Sequence, residues 1–201
     1  VPREEWTALG FGAAPDAWDG LLRALSGTFP EEVLLDAGLL QKNQETGRVY
    51  DRFRNRLTLE IRDARGEILA FGGRALGDDP AKYINSPETS RFTKGKVLYG
   101  LDRAREGARK SEKLVLCEGY FDRIAFERAG LGNAVASMGT ALTTNQTDLL
   151  LRKLPHDGTY FLQVRAQTAS VMGATSVQVT LGSDDHADSQ AGAALLTPVV
   201  A

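Results

Sequence analysis

The sequence predicts an α/β fold in which short helices and a basic antiparallel-β segment lead into a parallel sheet. Three observations carry this. Apolar residues recur at helical spacing between residues 15 and 37, the hydrophobic period shortens to two from Arg48, and short apolar runs alternate with helical stretches from residue 113 onward.

Residues 15–26 read as a helix, because Pro15 suits a first turn and Trp18, Leu21, Leu22 and Leu25 fall on one face. A second short helix follows Pro30, with Val33, Leu34 and Ala37 expected inward before Gly38. Leu57, Leu59 and Ile61 then alternate with polar residues, residues 63–66 supply turn chemistry, and 68–71 read as the returning strand. Residues 77–96 are expected to be irregular, punctuated by Gly77, Pro80, Pro87 and Gly95. Beyond them the pattern predicts a helix over 101–110, a buried strand over 113–117, a helix over 121–129, a strand over 133–137 and a helix over 144–154. That β-α-β-α order requires crossover helices and hence a parallel sheet.

With 42% apolar and 25% charged residues in a chain of 201, collagen-like, coiled-coil and wholly disordered classes are excluded. The single cysteine, Cys117, excludes an internal disulfide framework and a cysteine-built zinc site and fits a reducing cytoplasm. No run approaches 18 apolar residues and the first residues resemble no signal peptide, so no membrane association is expected. Because the sequence starts at Val1 rather than Met, it is expected to be a fragment. A formal charge of -2 does not by itself indicate a class of partner, but the distribution is uneven: residues 1–155 hold 23 of the 24 basic side chains, and 156–201 hold only Arg165 together with both histidines, His156 and His186.

Residues 48–96 carry eleven basic side chains against seven acidic ones, the footprint of a phosphate-binding surface. Arg52, Arg54 and Arg56 alternate, so on an extended strand they are expected to project from one face, about 7 Å apart and near the phosphate spacing of a single strand. The interleaved Tyr50, Phe53, Tyr83 and Phe92 either stack on bases or pack the segment. Arg74 follows two glycines, which permits close approach to a phosphate. Lys82 and Asn85 are expected to flank a turn stiffened by Pro87, and Lys94 and Lys96 straddle Gly95 in a way that suits a triphosphate. On residue type alone, a solvated face or surface loop accounts for these groups as well.

In an open α/β sheet, chemistry gathers at strand ends. The run Leu114-Val115-Leu116-Cys117-Glu118-Gly119-Tyr120-Phe121-Asp122 places Glu118 at such an end, a turn-permitting glycine after it, and Asp122 in the first turn of the next helix. Such a pair either serves a divalent cation and general-base chemistry, or Asp122 complements a helix dipole beside a solvated Glu118.

Together with Ala134-Val135-Ala136-Ser137-Met138-Gly139-Thr140, this run resembles the Toprim segment of bacterial DnaG-type DNA primases. Four earlier blocks resemble the same family in the same order: Tyr50-Asp51-Arg52-Phe53-Arg54-Asn55-Arg56-Leu57, Phe71-Gly72-Gly73-Arg74, Lys82-Tyr83-Ile84-Asn85-Ser86-Pro87-Glu88-Thr89, and Phe92-Thr93-Lys94-Gly95-Lys96. The resemblance covers about residues 6–155. It implies a Toprim-like parallel sheet behind the basic subdomain, and a nucleotidyltransferase that copies single-stranded DNA into short RNA primers from ribonucleoside triphosphates during replication. It implies Glu118 and Lys94 as catalytic residues, and Arg52, Arg54, Arg56, Arg74, Lys82, Asn85 and Lys96 as template- and nucleotide-binding residues. Glu118 and Asp122 are implied as ligands of Mg²⁺ or Mn²⁺. Zinc is not expected within these residues, and the replicative helicase is an implied partner through a module outside them. The parts expected are an N-terminal helical part at 1–46, the basic subdomain at 47–110, a partial Toprim at 111–155 and an atypical tail at 156–201.

The tail departs from the family pattern. An Asp-x-Asp pair is expected at the end of the next strand, near 159–164, where this chain has Tyr160-Phe161-Leu162-Gln163-Val164-Arg165-Ala166-Gln167. Acids return only at Asp184, Asp185 and Asp188, around His186, and could at most form an adventitious metal site. The tail is therefore expected to be non-native, from a shifted frame or a fusion, and not to dock as a sheet edge. The alternatives to a primase core are a catalytically inactive single-stranded nucleic-acid binding module and another Toprim enzyme, a nuclease or topoisomerase.

Overall fold

Strand-forming residues dominate the first half of the chain more than its helical spacing implies. The computed structural model describes residues 1–111, 113–139, 141–153, 158–164 and 175–181, and divides into two units. The first unit is Val1–Arg62 with Glu67–Lys94. A helical turn α1 (Trp6–Leu9) stops at Gly10, whose φ of 71° is a left-handed cap. Strand β1 (Phe11–Ala14) follows, then α2 (Gly20–Leu25), α3 (Glu31–Asp36) and the hairpin of β2 (Leu40–Lys42) with β3 (Val49–Asp51). The long strands β4 (Arg56–Arg62) and β5 (Ile68–Ala75), with β6 (Tyr83–Asn85), complete an antiparallel sheet of order β1-β4-β5-β6. The alternation read in the sequence holds: Leu59 and Ile61 are fully buried, each contributing about 1.5–3 kcal/mol of hydrophobic burial.

The helix expected over 15–26 begins only at Gly20. Pairing of β1 with β4 holds the chain extended to Ala14, and the Pro15 carbonyl accepts from Ala17 N (2.9 Å) and Asn55 N (3.1 Å), so the chain turns before it winds. Trp18 is consequently 56% exposed rather than inward. In α3 only Leu34 is buried, while Val33 and Ala37 face out, because a six-residue helix presents one narrow contact line. The returning strand runs past Phe71 to Ala75, since Gly72, Gly73 and Arg74 pair with β6. Lys82 and Asn85 therefore bracket a strand, not a turn.

The second unit comprises Asp63–Gly66 and Gly95–Ala201. The turn forms as its residues require, with Asp63 Oδ1 accepting from Arg65 N (2.7 Å) and Gly66 at φ 89°. Helix α4 (Leu101–Ser111) buries Leu101, Ala104 and Ala108, spaced along one face. Gly107 lets that helix approach closely: a Cβ there would lie 2.7 Å from the Gly132 carbonyl carbon. Then come β7 (Leu114–Cys117), α5 (Tyr120–Arg128), β8 (Ala134–Ala136), α6 (Thr144–Lys153), β9 (Gly158–Val164) and β10 (Thr175–Leu181). The sheet order is β10-β9-β7-β8, with β8 and β9 parallel to β7 and β10 antiparallel to β9. Leu98, Leu101, Leu114, Leu116, Val135 and Leu150 form its core.

The expectation that the tail would not dock is overturned for β9, whose backbone pairs Leu114 with Leu162 and Leu116 with Val164. Its run of Thr, Tyr, Phe, Leu and Val suits a strand regardless of the missing carboxylates. His156, Arg165, Ala166, Gln167, Asp184, Asp185, His186 and Asp188 lie outside the described residues.

Candidate functional site

In the first unit the three alternating arginines do converge, though not by sharing a strand. Arg52 and Arg54 lie in the bend between β3 and β4, where Asn55 takes a φ of 48°, and only Arg56 is in β4. The expected single strand face is thus corrected. All three line one groove of about 390 Å³, with Asp16, Gln41, Tyr50, Asp78, Asp79 and Ile84 among its walls. Arg52 donates to Gln41 Oε1 (2.7 Å) and, through Nε and Nη2, to the Asn85 carbonyl (3.3 and 2.9 Å). Burial lowers its pKa; Tyr50 opposes that, and the charges of Arg56 and Arg54 add to it. Arg54 donates to the Asp51 carbonyl (2.5 Å), its guanidinium 4.1 Å from the Trp18 ring centroid and 5.0 Å from that of Tyr50. Arg56 is buried and committed to Asp79 (2.5 Å) and the Ala81 carbonyl (2.9 Å), whereas Arg52 and Arg54, both half-buried, are the groove's more accessible cations.

The second of the two glycines before Arg74 has a packing reason. A Cβ on Gly73 would meet the Phe53 ring at 2.7 Å and Arg56 Cδ at 3.1 Å. Phe53 and Phe92 are core residues, whereas Tyr83 is exposed with the Arg74 guanidinium 5.6 Å from its ring centroid. Lys82 is exposed on the way into β6. Lys94 and Lys96 sit in a 3-10 turn, Lys94 half-buried with its backbone N–H on Glu88 (3.1 Å) and Lys96 exposed. The residues that local sequence reasoning missed are Trp18, read as a helix-core residue, and Asp51, Gln41 and Asp79. Their roles arise from contacts with distant segments, and no local signal marks them.

In the second unit Glu118 directly follows β7 with an exposed side chain, and its carbonyl accepts from Gly139 N (2.9 Å). Asp122, at the third position of α5, accepts from Gly119 N (3.2 Å) and so caps the helix. Beneath them Cys117 is buried, and burial, aided by the Asp122 charge, pushes its thiol up to about 12. It is a structural thiol. Glu118 and Asp122 offer two carboxylates, one of them engaged in capping, and β9 has none in Gly158–Val164. Among the described residues no group of three His, Cys, Asp or Glu side chains comes together, so these residues do not amount to a divalent-cation site.

A carboxylate at the end of a central parallel strand, a glycine turn and a capped helix form the arrangement of a Toprim-containing protein, and the Toprim domain family model matches residues 112–186. The family model for the DNA primase catalytic core, N-terminal domain, matches residues 1–105, and the chain belongs to the bacterial DnaG-type DNA primase family. It is 51% identical over 147 residues to the DNA primase of Pseudomonas putida, a match covering 73% of this chain and 22% of that protein. A DNA primase domain from Pseudomonas aeruginosa superposes with a TM-score of 0.74 at 39% identity, over 82% of this chain and 60% of that one. A DnaG primase catalytic domain bound to single-stranded DNA superposes with a TM-score of 0.67 at 44% identity, over 76% and 49%. The chain spans about a quarter of the length of the curated relatives it matches. The Toprim match reaches 31 residues past the boundary of 155 read from the sequence. Proteins of these families use a divalent metal. No described helix is long and apolar enough to cross a membrane.

Proposed function

We propose that this chain is the template-binding part of the RNA-polymerase core of a cytoplasmic DNA primase, which makes short RNA primers on single-stranded DNA. The observation that carries the reading is the groove lined by Arg52 and Arg54, with the Arg54 guanidinium over the exposed ring of Trp18: cations for phosphates next to an aromatic face for a base. Arg74 and Lys82 extend the positive surface along β5 and β6. Lys94 and Lys96 suit the triphosphate of an incoming ribonucleotide, and Glu118 is the acid of the complete enzyme. The replicative helicase is a partner of that complete enzyme.

The family's metal is taken to be Mg²⁺ or Mn²⁺, but the two carboxylates here do not complete its site. The carboxylate-free β9 favours a second reading in which this chain, by itself, binds template without extending a primer. Titration of a labelled oligonucleotide tests the common core of both. A single strand should bind more tightly than a duplex of the same length, and Arg52→Ala with Arg54→Ala should weaken it. Equal affinity for duplex and single strand, or full affinity in the double variant, would reject the assignment.

A further inference from the structure

We infer that Asp51 is a positioning residue for template binding: its buried carboxylate fixes the start of α2 while its backbone holds Trp18 and Arg54, so that a residue that never meets DNA presents the pair that does. The inference rests on the groove reading above. Asp51 is 4% exposed, and its four hydrogen-bonding groups are all engaged. Its carboxylate accepts from Leu21 N through Oδ2 (2.7 Å) and from Leu22 N through Oδ1 (3.0 Å). Those are the second and third residues of α2, the donors a helix ordinarily satisfies with its own N-cap side chain. Asp19 occupies the N-cap position but makes no side-chain cap; it pairs instead with Arg23 at 3.2 Å. The cap is thus supplied from β3, about thirty residues away in sequence, and it fixes where α2 starts.

The backbone of the same residue completes the clamp. Asp51 N donates to the Trp18 carbonyl (2.8 Å), and the Asp51 carbonyl accepts from Arg54 Nη1 (2.5 Å). Trp18, α2 and Arg54 are therefore tied to one residue, and the 4.1 Å stacking of Arg54 on Trp18 follows from those ties. Two charge-assisted bonds to backbone N–H groups make the carboxylate hard to replace. An asparagine has one acceptor oxygen where two are used, and its amide would face an N–H.

The test is a double-mutant cycle on single-stranded DNA binding, read as affinity and as salt slope. Asp51→Asn should weaken binding about tenfold, within the range of one lost base-stacking contact, and flatten the slope by about 0.7, the share of one phosphate contact. Arg54→Ala should do the same, and the double variant should bind no more weakly than Arg54→Ala. Leu59→Ala, which opens the core of the same unit, should lower the melting temperature and leave the slope unchanged. Should Asp51→Asn fail to fold, Asp51→Ser carries the same cycle. Losses that add fully, an unaltered slope in the Asp51 variant, or an equal flattening in Leu59→Ala would overturn the positioning role. A wild-type slope of zero, or an inert Arg54→Ala, would instead overturn the groove reading itself.

Discussion

The Arg54 guanidinium lies over the ring of Trp18, 4.1 Å from its centroid, with Tyr50 meeting that ring edge-on at 5.5 Å. Cation–π pairing at such an exposed site is worth about 0.5–1 kcal/mol. More than half of Trp18 stays open to solvent, so the pair is a platform with a charged rim.

Trp18→Ala should weaken single-stranded DNA binding by about 1–3 kcal/mol, the cost of losing one stacked base, with little dependence on sequence. Thermal stability should change little, because the ring is only partly covered. Fluorescence anisotropy with oligonucleotides of several sequences reads the effect, and unchanged affinity would remove the ring from the interface.

Gly100→Ala should destabilise the fold by about 1–3 kcal/mol. Gly100 has φ 78°, and a Cβ there would lie 2.9 Å from Arg123 Cδ. Arg123 has no room to yield: it is 2% exposed, ion-paired with Glu127 and bonded to the Ala134 carbonyl (3.4 Å). Urea denaturation measures the loss, and an unshifted midpoint would contradict the packing described.

The parts of the fold legible in the sequence are those whose signal is local. Leu57, Leu59 and Ile61 mark β4 by alternation, and the β7-α5-β8-α6 series can be read within two residues from its apolar runs. Strands β1, β2, β3 and β6 escape such a reading, because three or four residues leave too short a pattern and their stability comes from partners distant in sequence. The site divides the same way. Glu118 and Asp122 are visible as a strand end and a helix start, whereas Trp18 reads wrongly as core because its environment is set by Asp51 and Arg54, more than thirty residues on.

Stability should fall as pH rises above about 9. The Cys117 thiol has a reference value of 9.0 and is pushed up to about 12 by burial; Tyr99 goes from 10.0 to about 12 for the same reason. The folded state keeps protons that the unfolded chain releases, so the stabilisation is complete below pH 9 and is lost as pH climbs toward 12. Melting temperature against pH should show this decline, with a shallower slope in Cys117→Ala. Rapid alkylation of the native thiol at pH 8 would contradict the burial.

This chain should not extend primers, and Mn²⁺ should half-saturate it only above about 1 mM, since the ion would keep most of its waters beside two carboxylates. Manganese binding by electron paramagnetic resonance and a metal-dependent primer-synthesis assay check both. Micromolar binding that Glu118→Gln abolishes, or primers made by the chain alone, would show the site to be complete.

The most direct measurement of the template-groove claim is the salt dependence of single-stranded DNA binding in wild type and in Arg52→Ala/Arg54→Ala. Log affinity should fall linearly with log salt, by about 0.7 per phosphate neutralised, and the slope should be shallower by about 1.4 in the double variant. A flat wild-type line, or the same slope in both proteins, would contradict it.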